Sequence, residues 1–166
     1  MYRISGMLIV FICFIAAGIK KTAELDRRIK FLKEFRCMFE DLRTEIALRG
    51  TVLPEAVKQT GNKYSNTCFI KWVEYMSVWG AETGFGKALC ETRKKYCFED
   101  NDLQVLKCIT ASLGRVDLDN QLRKLDSGIT EADKYIAEIV SKYCDKKRMY
   151  LGGYTLTGIF IILLLM

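Results

Sequence analysis

The side chains that most often do chemistry are scarce or badly spaced in this sequence. Histidine is absent from its 166 residues, which removes imidazole acid–base catalysis, Ser-His-Asp and Cys-His pairs, and His-ligated metal centres. Seven cysteines are present: Cys13, Cys37, Cys68, Cys90, Cys97, Cys108 and Cys144. Their number is odd, no two form a C-x-x-C pair, and without histidine they make a poor zinc set. They are expected to be small, buried, reduced apolar residues. Glu99-Asp100-Asn101-Asp102 is acidic enough to attract a cation but lacks the glycine turn and distal glutamate of an EF-hand, and acids gather at helix N-termini in any case. Gly84-Phe85-Gly86 is too short to cradle a phosphate, and G-x-x-x-x-G-K, G-x-G-x-x-G and G-x-S-x-G do not occur. Trp72 and Trp79 have a helical spacing that reads first as bundle core and second as a partner-docking face. No catalytic, metal-binding or cofactor-binding residue is expected, and the chain reads as a non-enzyme.

The elements that would position any site are helices. One proline in the whole chain and 50% hydrophobic residues, arranged in long periodic stretches, predict an all-α protein. Hydrophobicity is segregated at the two ends: Ile4–Ile19 and Tyr150–Met166 carry no charge. Each covers roughly 25 Å as a helix, slightly short of a hydrocarbon core, a mismatch that thinning and snorkelling can absorb. Both are expected to span a membrane, the first as an uncleaved anchor because Lys20-Lys21 follow it at once. Lys20, Lys21, Lys146, Lys147 and Arg148 flank the inner ends of both segments and orient them, basic side to the cytoplasm. The expected organisation is therefore an extracytoplasmic N-terminus at 1–3, spans at 4–19 and 150–166, and a cytoplasmic bundle at 20–149. Of 26 Lys and Arg only Arg3 lies outside that bundle, against 20 Asp and Glu within it. The surplus suits anionic headgroups; nucleic acid is not an expected partner, because basic and acidic residues are mixed throughout.

Within the bundle, Leu25, Ile29, Leu32, Phe35, Phe39, Leu42 and Ile46 predict a first helix continuing out of the membrane to Gly50. Thr51 is the expected cap of a second helix, closed by Gly61-Asn62. A bulky third helix ends at Gly80, and Gly80 to Gly86 reads as a hinge or loop. A fourth is expected near Lys87 to Cys97, and a fifth capped by Asp100 or Asp102 runs to Gly114. The sixth, capped by Asp117, has Leu118, Leu122, Leu125, Ile129, Ala132, Ile136, Ile139 and Tyr143 in heptad alternation. Gly128 inside it is expected to cost about 1 kcal/mol relative to alanine. First and sixth helices form an antiparallel, membrane-rooted hairpin clasping the shorter ones, a bundle of about six helices in all.

The C-terminal third resembles the stage III sporulation protein AB family of endospore-forming bacteria. The resemblance is carried by Val105-Leu106, Leu113-Gly114-x-x-Asp117, Gln121, Lys147-x-x-Tyr150-Leu151-Gly152 and the closing Gly158–Met166. Glu45 and Gly50-x-x-Leu53 after the first helix fit the same pattern. Leu113, Gly114, Asp117, Gln121 and Gly152 are the family-motif residues and the candidate partner-binding positions. The resemblance implies a bundle similar to the cytoplasmic domain of type II secretion and type IV pilus platform proteins. It also implies a place in the mother-cell membrane around the forespore, in a secretion-like complex crossing both envelopes, beside a secretion-type sporulation ATPase and other channel components. Secretion platforms usually hold two such domains, so self-association is part of the expectation. The alternative is a membrane-anchored signalling adaptor or scaffold.

Overall fold

A computed structural model describes residues 2–111, 113–114 and 118–165, with side chains for 12–111, 113–114, 118–143, 145–150 and 152–161. The described residues are all-helical, in the order α1 (Tyr2–Arg49), α2 (Leu53–Lys63), α3 (Thr67–Tyr96), α4 (Asp100–Thr110) and α5 (Leu118–Leu165). The expected cap Asp117 lies outside them. α1 and α5 are 48 residues each, about 72 Å long at 1.5 Å per residue. They run antiparallel in a register held by Arg36 Nε to Asp133 at 2.8 Å, Arg43 to Asp126, and the Tyr143 hydroxyl to Asp26. The pairing continues into the apolar ends, where a Cβ on Gly18 would stand 3.4 Å from Tyr154 Cβ. Among the described residues no helix is long and apolar enough to cross a membrane; side chains of 4–11, 151 and 162–166 in the two apolar segments lie outside them.

α3 is not one rod. Gly80 has φ 77° and ψ 173°, a region open essentially to glycine, and the chain doubles back there. Lys71 pairs with Glu91, the Tyr75 hydroxyl donates to Glu91 at 2.7 Å, and Lys95 reaches Thr67. In a straight helix the last pair would stand about 42 Å apart. The expected loop over Gly80–Gly86 is thus corrected to a one-residue reversal, with 81–86 already helical. Gly84 lets the two halves touch: its Cβ would meet Met76 N and Tyr75 C at 3.0 Å. Counted as rods, the fold has the six-helix form expected.

Two cap assignments change. Gly50, at φ 61°, turns the chain so that Thr51 faces back to α1, donating to the Glu45 carbonyl at 3.5 Å. Val52 precedes α2 in extended conformation, Pro54 falls in the first turn, and the helix runs past Gly61-Asn62 to Lys63. At α4 neither aspartate is the cap residue. Glu99 is, and its N–H donates to the Asp102 carboxylate at 2.7 Å from the third helical position.

The core is aromatic. Phe31, Phe35, Phe39, Phe69, Trp72 and Phe85 are almost fully buried, with Trp72 against Phe85 at 4.8 Å between ring centroids. On α5 the buried line is Gln121, Leu125, Gly128, Ala132 and Tyr135, while Leu122, Ile129, Ile136 and Ile139 flank it and Leu118 is exposed. The expected heptad seam is therefore rotated by part of a residue. The cause is Gly128, whose Cβ would lie 2.8 Å from Ile109 Cγ2 and 3.5 Å from Phe39. Its missing side chain admits α1 and α4 to the same point on α5. We expect Gly128→Leu to lower stability by about 1–3 kcal/mol despite leucine's better helix propensity, measured as a fall in the denaturant midpoint.

The cysteine expectation is also corrected. Only Cys68 is buried among the described thiols; Cys13, Cys37, Cys90 and Cys108 are exposed and Cys97 is half-exposed. The side chain of Cys144 lies outside the described residues. Burial pushes the Cys68 thiol up to about 12, so it is the least reactive as well as the least accessible. Replacing the exposed thiols with serine should leave stability within about 0.5 kcal/mol, whereas Cys68→Ser should be measurably destabilised.

Candidate docking cleft

Two places gather chemistry-bearing side chains: the end of the bundle remote from the apolar segments, and a buried charge network nearer to them.

At the remote end, α1 stops, the chain turns into α2, α3 reverses, α4 stops and α5 begins. These ends surround a cleft of about 530 Å³. Its walls mix apolar side chains, Leu53, Pro54, Met76, Trp79, Leu113 and Leu118 among them, with the polar Thr51, Glu82, Thr83 and Gln121. Gly114 sits at φ 82°, and a Cβ there would come within 3.1 Å of Leu53. Gln121 is buried, and its Nε2 has no hydrogen-bond partner among the described residues.

Around the cleft stand Leu48, Val52, Val78, Trp79 and Leu118, each at least half exposed. Val52, Trp79 and Leu118 also line the cleft, so its mouth carries exposed apolar surface of the kind that marks contact sites. Trp72 is core, as its spacing suggested, but Trp79 is 52% exposed with Lys87 Nζ 3.1 Å above its ring. The heptad that joins the two tryptophans ends at the reversal, which leaves the second at the tip rather than in the core. Sequence reasoning offered Trp79 as a docking face only as its second reading and missed Val52 and Leu118; for Val52 the nearby Gly50 was the available signal.

The candidate partner-binding positions divide. Leu113, Gly114 and Gln121 line the cleft, together with Gly50 and Leu53 from the other stretch that carries the resemblance. Asp117 lies outside the described residues. Gly152 stands apart in the apolar end of α5, with nothing among the described residues within 4 Å of where its Cβ would be. The basic residues Lys20, Lys21, Lys146, Lys147 and Arg148 cluster where the hairpin meets the apolar segments; Lys21 pairs with Glu24 at 2.9 Å, and Lys147 donates to the Tyr143 hydroxyl at 3.2 Å.

The second cluster absorbs the acidic run. Asp102, fully buried, accepts from Arg28 Nη2 at 2.8 Å and from the Tyr135 hydroxyl at 2.7 Å, besides the Glu99 N–H. Arg28 Nε lies 2.7 Å from the second carboxylate oxygen without hydrogen-bond alignment, and Nη1 pairs with Glu99. Asn101 donates to the Tyr135 hydroxyl at 3.2 Å, and Asp100 pairs with Arg93 at 2.8 Å. Among the described residues no group of three His, Cys, Asp or Glu is placed to hold a metal ion. Burial works against the Arg28 charge, but the Asp102 carboxylate outweighs it and holds the guanidinium's pKa above its ordinary value. Burial, then the hydrogen bond to Asp102, pushes the Tyr135 phenol up to about 12. A phenol raised in the folded state stabilises below its unfolded pKa near 10.0, and that stability disappears as pH rises towards about 12. Wild type should therefore lose stability over that window more steeply than Tyr135→Phe, as alkaline denaturation curves of the two will show.

No curated protein and no solved structure matched the chain. A model of the stage III sporulation protein AB family matches residues 3–166. That match covers essentially the whole chain, and the chain belongs to the stage III sporulation protein AB family.

Proposed function

We propose that this sporulation-family protein is a non-enzymatic platform component of the mother cell–forespore secretion-like complex, anchored in the mother-cell membrane and docking a secretion-type ATPase through the cleft at its remote tip. The observation that carries the reading is convergence. Gly50 and Leu53 lie sixty or more residues before Leu113, Gly114 and Gln121 in sequence, yet all five line the cleft. That cleft is at the opposite end from the two apolar segments, where a cytoplasmic partner would meet a membrane-rooted hairpin. The anchoring rests on the uncharged segments 4–19 and 150–166 and on the basic residues at their inner ends. α5 runs without a break from the tip through Arg148 into the apolar segment, so a load placed on the tip would pass along a single helix.

The test is co-purification of the full-length chain with the sporulation ATPase from detergent-solubilised sporulating cells. Leu118→Arg alters an exposed tip residue and should leave the thermal midpoint unchanged while removing most of the ATPase. Equal recovery with wild type and Leu118→Arg would take the cleft out of the docking reading. Inserting two glycines between Arg148 and Met149 leaves the core and the tip intact. It should keep the ATPase bound but abolish sporulation if the helix transmits load; normal spore counts would reduce the protein to a tether.

A further inference from the structure

The corner between α3 and α4 is the part of the bundle that returns to the level of the apolar segments. Cys97 takes the left-handed conformation, φ 57°, and the N–H groups of Cys97 and Phe98 both donate to the Arg93 carbonyl, closing α3 tightly. Phe98 is buried edge-on against Phe31, 4.6 Å between centroids, so the corner is pinned to α1. Cys97 shares a recess with Lys21, Glu24 and Leu25 of α1 and with Tyr150, the first residue of the closing apolar stretch. The corner thus stands beside the place where charged sequence gives way to uncharged sequence on both long helices.

The charges at this end do not cancel. Its acids are mostly engaged: Glu24 with Lys21, Glu99 with Arg28, Asp100 with Arg93, Glu138 with Lys142, and Asp26 with the Tyr143 hydroxyl. Asp145 is the exception. Lys20, Lys94, Lys146 and Arg148 make no ion pair among the described residues. Lys94 is exposed on the last turn of α3, next to the corner. These unpaired cations come from α1, α3 and α5, so no single helix face explains them as a solvated stripe.

We propose that the α3–α4 corner, with Lys94 and Cys97 at its tip, is a foot that rests on the membrane surface, and that it joins Lys20, Lys146 and Arg148 in binding anionic phospholipid headgroups. The inference rests on the reading that the terminal segments enter the membrane. It adds a contact from a part of the chain far from either segment in sequence. Each basic residue at an anionic surface contributes favourably within a Debye length of about 8–10 Å. A bundle held only by two adjacent helices could tilt about their common axis, and a third support on α3 would set the angle at which the tip is presented.

The native cysteines provide the test. Single-cysteine chains keeping only Cys13, Cys97 or Cys108 are labelled with a fluorophore and reconstituted at full length in vesicles of phosphatidylcholine, with or without phosphatidylglycerol. Quenching is then read from spin labels carried on the lipid headgroup or on the acyl chain. The Cys97 label should be quenched by the headgroup spin label when phosphatidylglycerol is present, and much less in phosphatidylcholine alone; the Cys108 label should be quenched in neither. Lys94→Gln, which removes an exposed unpaired charge, should lower the ratio of docked to undocked corner about five-fold. Cys97 quenching no greater than that of Cys108 overturns the foot. Cys97 quenching that ignores both phosphatidylglycerol and Lys94→Gln overturns the anionic-lipid assignment. Failure of the underlying membrane reading has its own signature: a Cys13 label that acyl-chain spin labels do not quench in any vesicle.

Discussion

Asp102→Ala should destabilise the protein by about 3–5 kcal/mol, the largest loss expected from a single polar substitution here. The change leaves the Arg28 guanidinium, 6% exposed, inside the bundle with only the more exposed Glu99 as counter-charge. It also removes the acceptor of the Tyr135 hydroxyl and the carboxylate that satisfies the Glu99 N–H at the start of α4. Three elements meet there, so α1, α4 and α5 should loosen together rather than α4 alone. Tyr135→Phe removes one hydrogen bond to the same carboxylate and should cost about 1–3 kcal/mol. The double change Arg28→Met with Asp102→Leu removes both charges at similar volume and should recover most of the loss, because the gain from pairing buried charges is offset by their desolvation. Urea denaturation of the full chain in detergent micelles checks all three. A double variant no more stable than Asp102→Ala would show that the network contributes through its hydrogen bonds to backbone and phenol rather than by neutralising Arg28.

Gly84→Val should cost about 3 kcal/mol or more, at the upper end of overpacking penalties. The first atoms its Cβ meets are backbone atoms of Met76 and Tyr75 at 3.0 Å, and backbone in the facing rod cannot turn aside as a side chain can. The two halves of α3 would have to separate, pulling Trp72 from Phe85 and from the Ala81 carbonyl to which its indole N–H donates at 2.8 Å. Gly80→Ala acts on the same hairpin by a different route, straining a residue at φ 77° for about 1–3 kcal/mol. If both act on the hairpin, both should expose Trp72 before global unfolding, read as a red shift in tryptophan emission at low denaturant. Trp79, already exposed, should contribute no change, which Trp79→Phe controls confirm.

Much of the fold was legible in sequence because helices declare themselves one turn at a time. The stripe from Ile29 to Ile46 names a buried face whatever packs on it, and those residues are buried. Gly80 marked a break for the same local reason. What could not be read locally was the extent of that break: the contacts of Lys71 and Tyr75 with Glu91, of Lys95 with Thr67, and of Gly84 with Tyr75 and Met76 show that α3 reverses there. The heptad on α5 likewise located the right side of the helix but not its centre, because Gly128 is judged small until Phe39 and Ile109 are placed opposite it, and Tyr135 polar until Asp102 accepts from its hydroxyl.

The candidate site divides in the same way. The paired stretches around Gly50–Leu53 and Leu113–Gln121 were visible in the sequence, as were the uncharged ends, the basic residues flanking them and the absence of histidine. That the two stretches share one cleft, that Trp79 is open while Trp72 is buried, and that Glu99 and Asp102 pair with Arg28 while Asp100 pairs with Arg93 were decided by tertiary structure. Periodicity tells which side of a helix avoids water. The partner of a buried charge seventy-four positions away, or the surface left when several helices end together, depends on how the helices are stacked, and a pattern that repeats every three or four residues carries no information about that.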